Sequence, residues 1–234
     1  MKNIAIIPAR SGSKGLKDKN IKELNGKPLI WYSIQAALES ECFDEVMVST
    51  DSKKYAEIAL QCGASVPFLR SDEMSADNAG TWEAIREVLL MYSEMGREFD
   101  NVMLLQPTSP LRVKEDIKNA FELFIDKKAN SIVGVCEVEH SPLWCNILPD
   151  DKCLSNFITD EVKKYKGRQE ISQYYRVNGA IYLTKISYKD MKFDLYDDKS
   201  YAYCMPQTRS VDIDTELDFI LASSIMDYYN IKRV

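Results

Sequence analysis

Residues 2–15 read KNIAIIPARSGSKG, and this stretch decides the fold. Its first eight residues are almost wholly apolar, which is typical of a short strand buried on both faces of a sheet. The strand leads directly into a loop that carries arginine, serine, glycine and lysine. In open α/β sheets, ligands bind beyond the carboxyl ends of the strands, so the loop is a candidate ligand site.

The same alternation of strand and helix continues along the first half of the chain. Apolar runs predict strands at 44–51, 101–105 and 131–139, and later at 176–185 and 200–206. Apolar residues at helical spacing predict helices at 28–40, 52–63, 81–96, 113–129 and 214–229. Strands that alternate with crossover helices indicate an α/β fold with a mostly parallel central sheet and helices on both faces.

Residues 139–176 depart from this pattern. They show no long helical periodicity and are rich in aromatic and polar residues. We interpret them as a surface arm or oligomerisation flap, inserted in a single domain that spans residues 1–234.

Composition and charge narrow the classes of function. The formal net charge of −6 argues against nonspecific binding to nucleic acid or to an anionic membrane. No 18-residue apolar run or signal-peptide pattern occurs, and the six cysteines lack zinc-type spacing, so they are interpreted as reduced thiols that mostly serve packing. These features predict a cytoplasmic protein with no membrane or nucleic-acid partner.

The first loop concentrates positive charge. Residues 1–27 hold seven Lys and Arg residues against two acidic ones, a net charge of +5. Side chains from Arg10, Ser13, Lys14 and Lys19 project from a tight turn that fits neither common phosphate-loop motif. Fixed N–H donors beside several cations suit a triphosphate or its pyrophosphate product, although a solvated lysine-rich turn has the same pattern.

Opposite charge comes from Asp212 and Asp214. The two residues alternate in an extended segment, so both carboxylates can face the same side. Carboxylates two residues apart suit Mg²⁺, which keeps waters and bridges substrate phosphates. The alternative interpretation is that Asp214 caps the following helix, but this does not explain Asp212.

Other polar residues suggest a second substrate. Gln106 follows a strand and precedes two prolines, so it could orient a substrate hydroxyl. Arg168, Arg176 and Asn178 could hold a carboxylate, because arginine binds carboxylates bidentately. The alternative is that these are surface residues. For Arg112 and for His140, the sole histidine, structural roles are the favoured interpretation.

Four motifs together resemble one known family. They are IIPARSGSKGLKDKNI at 6–21, LLQPTSPLR at 104–112, RVNGAIYL at 176–183 and SVDIDTELD at 210–218. In this order and at these intervals, they resemble the acylneuraminate cytidylyltransferases, which include the CMP-sialic acid synthetases and relatives acting on bacterial nonulosonic acids. The opening motif lacks the R-x-x-S-x-R-L-P-G-K pattern of the related Kdo cytidylyltransferases.

The resemblance implies a Rossmann-like nucleotidyltransferase fold and a homodimer joined by the 139–176 arm. It implies that CTP and a 2-keto sugar acid give a CMP-sugar and pyrophosphate with one or two Mg²⁺ ions. Matched position by position, it assigns nucleotide contacts to Arg10, Ser13, Lys14, Lys19, Asn20 and Arg70. It assigns contacts with the sugar acid to Gln106, Arg168, Arg176, Asn178 and Tyr182. It assigns metal ligation to Asp212 and Asp214. The residues that it implies for the catalytic step are Arg10, Lys14, Lys19, Gln106 and Asp212.

One position departs from the family pattern. Trp144 stands where sialic acid enzymes tend to have a lysine, which favours a different sugar, such as a legionaminic-type acid. Alternative functions are a Kdo-type cytidylyltransferase, a D-x-D metal-dependent glycosyltransferase and a non-catalytic nucleotide sensor. The glycosyltransferase does not need the N-terminal loop, and a sensor would not need both aspartates.

Overall fold

The computed structural model describes residues 1–12, 15–75, 80–160, 162–165 and 167–229. The predicted residues Ser13 and Lys14 therefore lie outside the described residues, and the side chain of Arg168 does as well. Within the described chain, no helix is long and apolar enough to cross a bilayer.

Six of the described strands fall close to the predicted positions, and the short β2 and β3 were not predicted. The strands are β1 (Asn3–Pro8), β2 (Glu23–Leu24), β3 (Lys27–Pro28), β4 (Glu45–Ser49), β5 (Asn101–Leu104), β6 (Ser131–Glu137), β7 (Tyr175–Lys185) and β8 (Ser200–Cys204). The short β2 and β3 pair as a separate ribbon, and the others form a sheet in the order β4-β1-β5-β7-β6-β8. The mostly parallel sheet is therefore confirmed.

The predicted helices are also present. They are α1 (Leu29–Ser40), α2 (Lys53–Gln61), α3 (Asp72–Ser75), α4 (Thr81–Glu94), α5 (Lys114–Asp126) and α6 (Glu216–Tyr228). Of these, the short α3 was not predicted. Between β6 and β7, the described residues form short 3₁₀ turns and irregular chain, as the absence of helical periodicity indicates.

Alternate residues of β1 bury against helices on opposite faces of the sheet. Ala5 and Ile7 belong to the core beneath α1, α2 and α5, whereas Ile4 and Ile6 pack with α4. This arrangement explains why the strand is apolar throughout rather than alternating. A third cluster joins α6 to α1 through Phe219 and brings the end of the chain close to its beginning.

Strand β7 runs antiparallel to both of its neighbours, β5 and β6. The reason is local: the 139–176 segment leaves and returns at the same sheet edge, where the Val138 amide donates to the Tyr174 carbonyl at 3.0 Å. The amino end of β7, with Arg176 and Asn178, therefore lies beside the carboxyl ends of the parallel strands. The sequence pattern did not predict the direction of this strand.

The cysteine interpretation is partly wrong. The six thiols are free, as predicted, and Cys136 is buried. Cys145, Cys153 and Cys204 are exposed, however, so they do not serve packing. Two of them lie in the 139–176 segment, which provides little core in which to bury a side chain.

Candidate active site

A pocket of about 620 Å³ opens at the carboxyl edge of the sheet. Its polar lining includes six of the predicted residues, contributed by four separate segments of the chain: Arg10, Lys19, Asn20, Arg70, Gln106 and Asp214. The sheet topology thus brings both ends of the sequence to one cleft. Its volume lies within the usual range for small-molecule sites.

The loop after β1 is held by neighbouring polar groups. Asp51, which follows β4, accepts hydrogen bonds from the Ser11 amide at 2.7 Å and the Ser11 hydroxyl at 2.6 Å. Burial opposes the ionisation of Asp51, but the hydrogen bonds from Ser11 outweigh it and lower its pKa. Farther along the loop, the buried Asn20 donates its amide to the Arg10 carbonyl at 3.1 Å. These contacts fix the backbone of Arg10 on both sides.

Arg70 is almost fully buried at the wall of the pocket. Its guanidinium donates to the hydroxyl and the carbonyl of Ser49 at 3.1 and 3.0 Å. Burial lowers the pKa of Arg70, and the charge of Asp51 counteracts this effect, while Arg10 adds to it by repulsion. Two guanidinium groups that repel each other in a cleft favour an anionic ligand.

Lys19 reaches across to the segment near the end of the chain. Its ammonium donates to the Ile213 carbonyl at 2.7 Å and to Asp214 Oδ1 at 2.9 Å, and its side chain is only 14% exposed. Gly15 lies close by, since a Cβ at that position would come within 2.9 Å of the Asp214 carbonyl. The cationic loop and the two-aspartate segment are therefore in direct contact.

The two aspartates differ in their surroundings. Asp212 is exposed, but the protein atoms around it remove part of its hydration, which raises its pKa. The negative charge of Asp214 raises the pKa further, whereas a hydrogen bond from the Thr108 side chain opposes the shift. Asp214 is not the cap of α6: the cap is Thr215, whose hydroxyl accepts from the Asp218 amide. The interpretation of Asp214 as a helix cap is therefore wrong. Its side chain is 75% exposed to solvent.

Gln106 is held in close contact with β7. Gly179 has a φ of +74°, and a Cβ there would overlap Gln106 Oε1. The Gln106 carbonyl accepts from the Ser33 hydroxyl at 3.1 Å and from Arg112 at 3.3 Å. Arg112 is fully buried and also donates to the Ser109 carbonyl, which confirms its structural role.

A second cavity of about 460 Å³ adjoins the first and shares Gln106 and Thr81 with it. Its aromatic lining consists of Trp82, Tyr182, Phe193 and Tyr196. Trp82 stacks on Phe193 with ring centroids 5.0 Å apart and meets Tyr182 edge-on at 6.4 Å. Gln106 thus stands at the junction of a cationic pocket and an aromatic one.

The remaining predicted residues lie behind or beside these cavities. Arg176 forms an ion pair with Glu139 at 3.0 Å and donates to the Ser210 carbonyl at 3.3 Å. Asn178 is 1% exposed and donates to the Ser210 hydroxyl at 3.0 Å. In this conformation, both side chains support the segment before Asp212, and their contacts with a sugar acid stay predictions.

Sequence reasoning missed two residues of the site, Trp82 and Phe193, which build the aromatic cavity. The sequence does predict that Asp51 lies at the ligand edge, because it follows a buried strand directly, but it assigns no role to this residue. In the structure, Asp51 holds the loop after β1. No sequence signal predicts the roles of Trp82 and Phe193, because the first lies in an amphipathic helix and the second in an irregular segment, and only tertiary packing brings them together.

Comparison with known proteins agrees with the fold and the cleft. The sequence profile of the family described as cytidylyltransferase matches residues 4–220. A CMP-N,N'-diacetyllegionaminic acid synthase of Legionella pneumophila is 36% identical, with 97% of each chain covered. An N-acylneuraminate cytidylyltransferase of Streptococcus agalactiae is 41% identical over 94% of this chain, which spans about half (52%) of that relative.

Among solved structures, a CMP:2-keto-3-deoxy-manno-octonic acid synthetase complexed with CTP superposes with a TM-score of 0.71. It is 16% identical, and the match covers 98% of this chain and all of that one, so it supports the fold alone. The family model and the sequence relatives show that the chain is a nucleotidyltransferase. The family match is decisive: the chain belongs to the cytidylyltransferase family.

Gly179→Ala tests the contact that holds Gln106. The added methyl group should displace the Gln106 side chain, so we expect pyrophosphate release from CTP to slow at least about tenfold. Gly96→Ala is the matched control, because Gly96 has a φ of +75° and open space around it. Both variants carry a backbone strain of about 1 kcal/mol, but only the first meets Gln106. Equal rates in the two variants would contradict the role of this contact.

Proposed function

We propose that this protein activates a nonulosonic acid with CTP, giving a CMP-sugar and pyrophosphate. The observation that carries the proposal is the position of Gln106 between the cationic pocket and the aromatic cavity. Such an arrangement brings a nucleotide and a second substrate together at one side chain. The two sequence relatives, a CMP-N,N'-diacetyllegionaminic acid synthase and an N-acylneuraminate cytidylyltransferase, support the same reaction.

CTP would occupy the cationic pocket with its triphosphate at the loop after β1. Arg10 and Lys19 line this pocket, and Ser13 and Lys14 belong to the same loop by sequence. Their positive charges would stabilise the pyrophosphate as it leaves. Asn20 and Arg70, on the same wall, would complete the nucleotide contacts.

Asp212 and Asp214 fit a divalent cation. Asp214 lines the cleft, and Asp212 is close enough to Asp214 and Lys19 for their charges to shift its pKa. The ammonium of Lys19 already lies beside Asp214 as a cation. Bound there, Mg²⁺ would neutralise charge on the substrate phosphates. Lys19, which pairs with Asp214 in this structure, would be able to contact the triphosphate if Asp214 had another positive partner.

The sugar acid would occupy the aromatic cavity beside Tyr182. Its anomeric hydroxyl would attack the α-phosphorus of CTP, forming a P–O bond as the bond to the pyrophosphate oxygen breaks. Gln106 would orient this hydroxyl, and positioning would supply much of the rate enhancement. Asp212, whose pKa is raised by the partial loss of its hydration, is the candidate acceptor of the hydroxyl proton. Arg168, Arg176 and Asn178 are the proposed supports of the acid.

The sugar itself is tested by pyrophosphate release over a panel of acids. We expect release only when CTP, Mg²⁺ and a nonulosonic acid are all present, and most rapidly with N,N'-diacetyllegionaminic acid, because the Legionella pneumophila relative is named for the CMP derivative of that acid. N-acetylneuraminic acid and 2-keto-3-deoxy-manno-octonic acid complete the panel. Fastest release with the octonic acid would support the Kdo-type alternative. No release with any acid would contradict the proposed function.

Asp212→Asn tests the role of the carboxylate while leaving its shape. We expect pyrophosphate release to fall roughly a hundredfold or more, because an amide cannot neutralise a cation. The pKa of Asp212 is higher in the folded protein than in the unfolded chain, so ionisation of Asp212 lowers the free energy of unfolding. At pH 7, which is above both pKa values, this loss of stability is complete. The variant should therefore resist urea at pH 7 at least as well as the wild type. A stable variant with unchanged turnover would refute the assignment.

We also propose a homodimer joined through the 139–176 arm. Large apolar side chains of this segment face solvent, and Ile147 is 89% exposed. An exposed apolar set on an irregular segment is typical of an interaction surface.

We also propose a cytoplasmic location for the protein. The proposed reaction consumes CTP, and the six cysteine thiols form no disulfide bonds, which is typical of a reducing compartment.

Ile147→Glu tests the dimer. We expect the wild type to elute and scatter light as a dimer and this variant to dissociate, since a buried unpaired carboxylate disfavours an interface. Ile125→Glu is the matched control, because Ile125 is 59% exposed on α5, outside the arm. A monomeric wild type, or two variants that behave alike, would contradict the proposed interface.

A further inference from the structure

An ion pair between α5 and the segment that leads to Asp212 is not part of the candidate metal site. Asp116, in the first turn of α5, is fully buried. Arg209 meets its carboxylate with two hydrogen bonds, from Nε at 3.1 Å and from Nη2 at 2.8 Å. The Tyr203 hydroxyl and the Val113 amide donate to the same carboxylate at 3.1 and 3.0 Å. A planar, two-bond contact of this kind fixes orientation as well as distance.

The pair joins two segments that both belong to the site. Asp116 follows the turn that starts at Gln106, and Arg209 precedes the segment that carries Asp212 and Asp214. A second connection lies on the far side of Asp212, where the Ile213 amide donates to the Thr108 carbonyl at 2.8 Å. Asp212 thus lies between two fixed points that tie its segment to the turn after β5.

We infer that the Arg209–Asp116 ion pair is a positioning pair that fixes the carboxylate of Asp212 against the turn after β5. Side chains that orient the ligands of a metal typically change its affinity about tenfold or more when they are altered. The inference rests on the proposed metal role of Asp212 and Asp214. It adds two residues that touch neither CTP nor the sugar acid.

Arg209→Lys tests the inference with the charge retained. Lysine keeps the positive charge but loses the two-bond fork, so the segment should lose its orientation and not its folding. We expect the affinity for Mn²⁺ alone, followed by electron paramagnetic resonance of the free ion, to fall about tenfold. CTP affinity in the presence of EDTA, measured by calorimetry, should stay unchanged, because the loop after β1 is not altered.

Arg97→Lys is the matched control. Arg97 also pairs with a mostly buried carboxylate, that of Glu45 at 2.5 Å, but Glu45 begins β4 at the opposite edge of the sheet. This variant should bind Mn²⁺ as the wild type does. Arg209→Met, which also removes the charge, should weaken Mn²⁺ binding further than Arg209→Lys.

The outcomes separate the inference from the metal assignment. The metal assignment fails if the wild type binds no Mn²⁺, or if Asp212→Asn binds Mn²⁺ as well as the wild type does. In either case the inference fails with it. If the wild type binds such an ion and Arg209→Lys binds it equally well, the positioning inference alone is wrong. Equal losses in Arg209→Lys and Arg97→Lys would show a general effect of stability and would also overturn it.

Discussion

The site depends on one contact between distant parts of the chain, the hydrogen bond from the Ile213 amide to the Thr108 carbonyl. It places the segment from near the end of the sequence against the turn that follows β5. Asp212 and Asp214 flank Ile213, so this pairing holds both residues near the ligand edge of the sheet, together with the contacts that Arg176, Asn178 and Asp116 make with the segment before them. The Ile213 carbonyl then receives Lys19, and the cationic loop closes on the same point.

Charge balance explains why these groups tolerate such proximity. Asp212 lies near the negative charge of Asp214, which contributes to its raised pKa. Asp51 and Glu87 attract the guanidinium of Arg70, whereas Arg10 repels it. An anionic nucleotide would add negative charge beside Arg10 and Arg70, and a divalent cation would add positive charge beside the two aspartates. The proposed ligands thus complement the charges at the cleft.

Local patterns were enough to predict most of the fold. Continuous apolar runs such as 2–9 predict buried strands, and the period of the amphipathic helices gave their bounds to within a few residues. The direction of β7 was not accessible, because it depends on where the 139–176 segment returns to the sheet. The parts of the site that lie in charged motifs were found from sequence. Trp82 and Phe193 were not, since only packing brings them together.

A crystal structure with Mn²⁺ and a non-reacting CTP analogue would test the central claim most directly. We expect an anomalous peak for Mn²⁺ beside Asp212 and Asp214 and the triphosphate against the loop after β1. We also expect the ammonium of Lys19 to contact a phosphate oxygen instead of Asp214. A nucleotide bound elsewhere, or a metal held without either aspartate while Lys19 keeps its contact with Asp214, would contradict it.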